Sequence, residues 1–191
     1  MRLGIFGGTF DPPHIGHLLA AVDAVERLTL DRLVLVPASV QPLKTNSKVR
    51  EAKHRLAMTR LLVEGDQRFA VDPLEIERAG LSFSVDTLRT FAERHPSDER
   101  FFVVGADVLR TFERWREPAE VLRLATLVVM TRESEGETAP GNLPAGGRAI
   151  PSRRIDVSST EIRARVSSGR SLHGFVPDSI AAYIAAHGLY R

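Results

Sequence analysis

The chain has 191 residues, 43% of them hydrophobic, which is enough for a sizeable core and excludes disorder as a whole. Lys and Arg total 26 against 24 acidic residues; the cations, nearly all Arg, are scattered without the clusters of a nucleic-acid footprint, and the sequence pI of 9.4 reflects a shallow titration rather than a basic surface. There is no cysteine, which excludes disulfides, thiolate nucleophiles and Cys-based metal sites, and neither a signal-peptide pattern nor an apolar run near the roughly 18 residues of a membrane span occurs, so the cytoplasm is the expected compartment.

Short apolar runs bounded by turn residues read as strands at Arg2 to Phe6, Arg32 to Pro37, Phe69 to Val71, Arg100 to Gly105 and Thr126 to Thr131, with a short sixth at Arg154 to Val157. Helical spacing of apolar residues covers 15–28, 50–64 and 84–94, followed by two short helices at 106–113 and 118–124. Pro177 to His187 has Pro and Asp at its start and Gly188 at its end, the signals of a helix at both termini. Strand and helix in alternation predict an α/β fold: one doubly wound, Rossmann-like domain over residues 1–191, with a mainly parallel sheet of five to six strands and helices on both faces. Residues 133–149, rich in Gly and Pro and without periodicity, are expected to form an exposed loop.

In an open parallel sheet, ligands bind at the carboxyl ends of the strands near the point where strand order reverses, so the segment after the first strand is the first candidate. It reads Gly7-Gly8-Thr9-Phe10-Asp11-Pro12-Pro13-His14-Ile15-Gly16-His17, which is neither a P-loop nor a dinucleotide G-x-G-x-x-G. Two glycines let backbone approach a bulky ligand, and two prolines stiffen the entry to the helix. His14 and His17, three apart, share one face of the first turn, where free N–H groups and the helix dipole favour an anion; two imidazoles there suit a triphosphate. A helix-capping role for the pair and a stray metal are the alternatives, the second without support from any Cys or regularly spaced third His.

A second candidate is Ser158-Ser159-Thr160-Glu161-Ile162-Arg163. Ser158 and Glu161 form a capping box, yet three successive hydroxyls exceed what one cap requires, and Arg163 falls a turn inside the helix where it reaches an anion at its mouth. Gly105 and Asp107 end the fourth strand, where a carboxylate hydrogen-bonds a ribose or caps a helix. Trp115 lies between two Arg in a segment too polar for pure core, so it either stacks on a planar ring or packs inward. Lys44 follows a Pro-bounded loop and by default is a solvated residue.

These motifs carry a resemblance. G-G-T-F-D-P-P-H-x-G-H-L followed far downstream by S-S-T-E-I-R is similar to the H-x-G-H nucleotidyltransferase superfamily, and the segments between resemble the bacterial nicotinate-nucleotide adenylyltransferases: Leu33 to Pro37 with Pro42-x-Lys44, Glu75 to Gly80 with Ser82-Phe83-Ser84-x-Asp86-Thr87-Leu88, Gly105-x-Asp107 with Trp115, and the tail from Val176 to Tyr190. The resemblance implies in-line transfer of an adenylyl group from ATP, with Mg2+, to nicotinate mononucleotide, giving nicotinate adenine dinucleotide and pyrophosphate without a covalent enzyme intermediate. It further implies that His14, His17 and Arg163 are catalytic, that Gly7, Gly8, Thr9, Phe10, Gly105, Asp107, Ser158 and Ser159 join them around ATP, and that Lys44, Ser84 and Trp115 hold the mononucleotide. No resident metal site, nucleic-acid partner or membrane is implied, and assembly into a homo-oligomer is left open. Two departures from the family pattern stand out: Leu43 where a His is usual before Lys44, and Ser82-Phe83-Ser84 where Ser-Tyr-Thr is commoner. Another adenylyl- or cytidylyltransferase of the superfamily, such as one acting on phosphopantetheine, and a non-catalytic nucleotide-binding module are the competing expectations.

Overall fold

A computed structural model of the chain describes residues 1–42, 49–132, 143–153 and 155–191. Six strands, β1 (Arg2–Gly8), β2 (Arg32–Pro37), β3 (Phe69–Val71), β4 (Glu99–Gly105), β5 (Thr126–Arg132) and β6 (Arg148–Ser152), form one sheet in the order β3-β2-β1-β4-β5-β6. Every neighbouring pair is parallel. The helices are α1 (Ile15–Leu28), α2 (Ala52–Leu62), α3 (Leu74–Arg78), α4 (Ser84–Arg94), α5 (Pro118–Leu124), α6 (Ser159–Ser167) and α7 (Asp178–Ala186), with two 3-10 turns at Ala106–Arg110 and Phe112–Arg114.

Alternation along each strand sends successive side chains to opposite faces, and helices cover both. Phe6, Leu33, Leu35 and Phe101 meet Ala21, Ala24, Met58, Ile162 and Ile180 of α1, α2, α6 and α7 on one side. Ile5, Val34, Val36, Phe102 and Val104 meet Leu74, Val85, Leu88, Phe91 and Val121 of α3, α4 and α5 on the other. Burying a Leu, Ile or Phe of this kind stabilises the fold by roughly 1.5–3 kcal/mol, and both layers are needed because the central strands are apolar on both faces. The chain runs outward through β1, β2 and β3, then returns to place β4 on the far side of β1. The switch point is therefore the crevice between the carboxyl ends of β1 and β4, where Gly7, Gly8 and Gly105 lie.

Two expectations are corrected. The sixth strand lies at Arg148–Ser152 rather than Arg154–Val157, and it takes the end of the 133–149 stretch as its first residues. Edge pairing with β5 decides this: Ile150 registers against Met130 and turns into the core, a tertiary contact that a run containing Pro151 does not advertise. The sequence reading also lacks α3, a single turn held by Asp72, whose carboxylate accepts from the Leu74 N–H at 2.9 Å. Residues 133–142, the heart of the expected loop, lie outside the described residues. Among the described residues no helix is long and apolar enough to cross a membrane.

Candidate active site

α1 begins directly at the sheet's switch point. His14 is its N-cap in extended conformation, and its N–H donates to His17 Nδ1 at 3.2 Å. The capping alternative for the pair is thus realised, and it has a chemical consequence. With Nδ1 of His17 accepting, the neutral ring carries its proton on Nε2, which leaves that N–H as the donor for a ligand. The two rings stack at 3.8 Å between centroids. His14 is only 7% exposed, and its Nδ1 is buried without a hydrogen-bond partner. Desolvation brings the His14 pKa down to about 4, and burial together with the adjacent His14 holds His17 well below the ordinary imidazole value. Both imidazoles are neutral at pH 7.

The glycines have separate reasons. A Cβ on Gly16 would meet His14 Nδ1 at 3.0 Å, so the Gly of His-x-Gly-His is what lets the first imidazole lie over the helix start. A Cβ on Gly8 would strike the Phe10 ring at 2.8 Å, and one on Gly105 would strike Asp107 Oδ1 at 2.7 Å. Gly7 has only ordinary contact with Phe102 beneath it. Phe10 itself departs from its expected role: its ring is 1% exposed and stands edge-on to Phe6 and to His17, at 5.8 and 5.1 Å. It props His17 from below instead of lining the cleft.

The second predicted segment does reach the first across 147 or more residues of sequence. Ser159 Oγ donates to the Pro12 carbonyl at 2.8 Å and Arg163 Nη1 donates to the Asp11 carbonyl at 2.7 Å. Ser158 is the cap, its Oγ accepting from the Glu161 N–H at 3.1 Å, and Thr160 Oγ1 accepts from Arg163 Nη2 at 3.2 Å. Each of the three hydroxyls therefore has a partner: one caps, one braces the loop, one orients Arg163. A cleft of about 510 Å³ lined by Val49, Arg50, Arg163, Ala164, Ser167 and Tyr190 opens beside this junction. A larger hollow of about 810 Å³, between α2 and the edge strand β3, holds none of the candidate site residues.

Residues without an assigned role anchor the loop from behind. The Asp11 side chain, 5% exposed, accepts from the Tyr190 hydroxyl at 2.6 Å and from the Arg50 N–H at 3.3 Å. Burial and the bond to Asp11 push the Tyr190 pKa far up, so the hydroxyl remains a donor at any ordinary pH. The sequence reading includes Asp11 in the first motif without a role, and Tyr190 only as part of the tail.

The mononucleotide candidates form a separate patch. Ser84 is the first residue of α4, where intrahelical bonds begin only with the Asp86 and Thr87 N–H groups, both donating to the Phe83 carbonyl. Trp115 is half-buried, its ring 6.1 Å from Phe102 and 5.5 Å from Phe112, so it packs inward with one side while keeping the rest exposed. Arg116 ties the two together, its guanidinium 5.0 Å from the Phe83 ring centroid and 3.4 Å from Asp86 Oδ2. Beneath α4, Thr87 hydrogen-bonds Glu75, whose pKa burial raises. Lys44, with residues 43–48, lies outside the described residues. Among the described residues no group of three or more His, Asp or Glu is placed to hold a metal ion.

A switch-point crevice flanked by a neutral imidazole pair, a helix start and an Arg-bearing second helix defines a nucleotide-handling α/β protein, and the family model described as Cytidylyltransferase-like matches residues 5–165. Relatives named "Probable nicotinate-nucleotide adenylyltransferase" match over the whole chain: 49% identical in Gemmatimonas aurantiaca, covering 93% of that protein, and 46% identical in Thermus thermophilus, covering all of it. The chain belongs to the nicotinate-nucleotide adenylyltransferases, a group of nucleotidyltransferases. The fold is also that of the Plasmodium falciparum nicotinic acid mononucleotide adenylyltransferase complexed with NaAD, at a TM-score of 0.78 and 18% identity over 99% of this chain and 97% of that one.

Proposed function

We propose that the protein transfers the adenylyl group of ATP to nicotinate mononucleotide in NAD biosynthesis, with the H-x-G-H turn as the charge-handling element. The mononucleotide phosphate oxygen forms a bond to the α-phosphorus as the α–β bridging bond breaks, and pyrophosphate leaves with the electron pair. No enzyme nucleophile takes part. Positioning and charge stabilisation carry such a reaction.

The observation that supports this best is the His14–His17 pair: two neutral, stacked rings at a helix start, one with a buried nitrogen lacking a partner. A polyphosphate placed there supplies negative charge that favours a proton on His14, whose Nδ1 has no partner, while His17 keeps Nδ1 on the His14 N–H and its Nε2–H donates as charge moves toward the leaving group. Arg163 and Ser159, already joined to the 11–12 backbone, stand at the β/γ end, with Ser158 setting the helix start behind them. Gly7, Gly8 and Thr9 line the crevice, Phe10 supports it, and Gly105 with Asp107 faces the ribose. Ser84 and Val85 N–H groups receive the nicotinate carboxylate, Trp115 flanks its ring, and Lys44 reaches the mononucleotide phosphate.

On this reading the divalent ion, Mg2+, comes with the substrate as Mg–ATP. The same reading takes the chain as a single domain working in the cytoplasm. Pyrophosphate release measured with Mg–ATP and nicotinate mononucleotide, beside nicotinamide mononucleotide and phosphopantetheine, tests it. Release with the nicotinate substrate is expected; release only with another acceptor overturns the substrate, and none with any overturns the reaction.

A further inference from the structure

Arg55 lies on α2, outside every motif, and is 1% exposed. On the buried stripe Arg55, Met58, Thr59, Leu62 it occupies a position that an apolar side chain would fill at less cost, since desolvation of the guanidinium outweighs the attraction of the nearby Asp11 and Glu75 carboxylates. Among the described residues no carboxylate makes a direct ion pair with it, although Asp11 and Glu75 lie near enough to favour its charge. Its donors go instead to three backbone carbonyls in three segments: Nη1 to Thr9 at 2.8 Å, Nη2 to Ser39 at 3.1 Å, and Nε to Arg50 at 2.9 Å. A rigid guanidinium fork can hold three such oxygens at fixed mutual distances, which no apolar residue and no ammonium can do.

Two of the three carbonyls belong to the two halves of the site. Thr9 is in the turn between β1 and His14, on the ATP side. Ser39 begins the segment after β2 that leads towards Lys44, and its N–H donates to Ser82 Oγ at 2.9 Å. The Val40 carbonyl accepts from the Ser82 N–H at 2.8 Å, which ties the same segment to the loop entering α4 at Ser84. A continuous path of hydrogen bonds thus runs from the ATP turn through Arg55 to the mononucleotide loop.

We infer that Arg55 is a positioning residue that sets the distance between the two bound substrates, so that the attacking phosphate meets the α-phosphorus in line. This rests on the proposed adenylyl transfer. A misplacement of about 1 Å between reacting groups costs on the order of 100-fold in rate, while each substrate alone still finds its own half intact. The consequence is a split between turnover and binding.

The test compares the wild type with Arg55→Lys and Arg55→Ala, the latter with and without n-propylguanidinium. Circular dichroism checks folding, calorimetry gives the affinity for Mg–ATP alone and nicotinate mononucleotide alone, and pyrophosphate release gives kcat. The expected result is kcat lowered about 100-fold, single-substrate affinities within about threefold, and recovery of about tenfold in Arg55→Ala on adding the guanidinium. Three results would overturn the inference: kcat within about threefold of wild type in a folded variant, a loss of ATP affinity as large as the loss of kcat, or failure of both variants to fold, which would make Arg55 a strut of the core alone. If the wild type uses another acceptor, the comparison is made with that acceptor and only the substrate reading falls; if it uses none, both fall.

Discussion

The two halves of the site are built differently. On the proposed ATP side, buried and part-buried groups hold the turn: Tyr190 on the Asp11 carboxylate, Arg163 on the Asp11 carbonyl, Ser159 on the Pro12 carbonyl, Arg55 on the Thr9 carbonyl. On the mononucleotide side, a helix start and a half-buried Trp115 are clamped by exposed ion pairs, Arg116 with Asp86 and Arg89 with Glu117. The first kind of wall keeps developing charge in a fixed frame, and loss of one member leaves buried polar groups unsatisfied. The second kind relies on backbone donors and a ring face, and its surface pairs contribute little each. The proposed function puts chemistry on the rigid half and recognition on the adaptable one.

That contrast orders the expected effects. His17→Ala should lower turnover by roughly 100- to 1,000-fold, about 3–4 kcal/mol, in a folded protein. Steady-state kcat unchanged in that variant would remove the imidazole pair from the reaction. Acid comes next: with His14 at about 4 in the folded state and 6.5 as its ordinary value, the unfolded chain binds the proton first. His14 therefore contributes no penalty above pH 6.5, and stability falls as pH drops from there to about 4, by roughly 3 kcal/mol from this residue. Urea titrations across that window should show a shallower fall in His14→Asn; equal slopes would contradict the burial of a neutral ring.

Tyr190→Phe removes one hydroxyl and leaves the buried Asp11 oxygen short of a donor. A loss of about 1–3 kcal/mol in thermal or urea unfolding is expected, with weaker ATP binding because the β1–α1 turn loosens. A neutral outcome would mean that the C-terminal tail merely packs. On the other half, Trp115→Ala should raise KM for nicotinate mononucleotide about tenfold with kcat little changed, since a ring face binds ground and transition states alike. The smallest effect belongs to Arg89→Ala, where an exposed pair with Glu117 is worth at most about 1 kcal/mol. If this variant proved as damaging as Tyr190→Phe, the division between rigid and adaptable walls would not hold.

Much of the site is legible in the sequence because it is local. His14, Gly16 and His17 occupy one helical turn, so their spacing alone brings them together, and Ser158 caps α6 three residues ahead of Glu161 as a capping box predicts. Arg55 interrupts an apolar stripe at helical spacing, which is a signal, but the pattern says nothing of what it binds. Asp11 and Tyr190 are 179 positions apart, and no local rule pairs them. Phe10 differs from expectation for the converse reason: its motif position suggests the cleft, while the left-handed backbone at φ 51° turns its ring under His17.

What the amino-acid order determined by itself was the α/β alternation, the apolar strands buried on both faces, and the imidazole pair at a helix start, because periodicity and short-range sterics act within a few residues. What only the tertiary structure decided was long-range: the strand order that opens a crevice between β1 and β4, the shift of β6 to Arg148–Ser152 by pairing with β5, and the joining of α6, α2 and the C-terminal Tyr190 behind one loop. Those contacts arise from closing loops and burying groups together, and no window of sequence contains both partners.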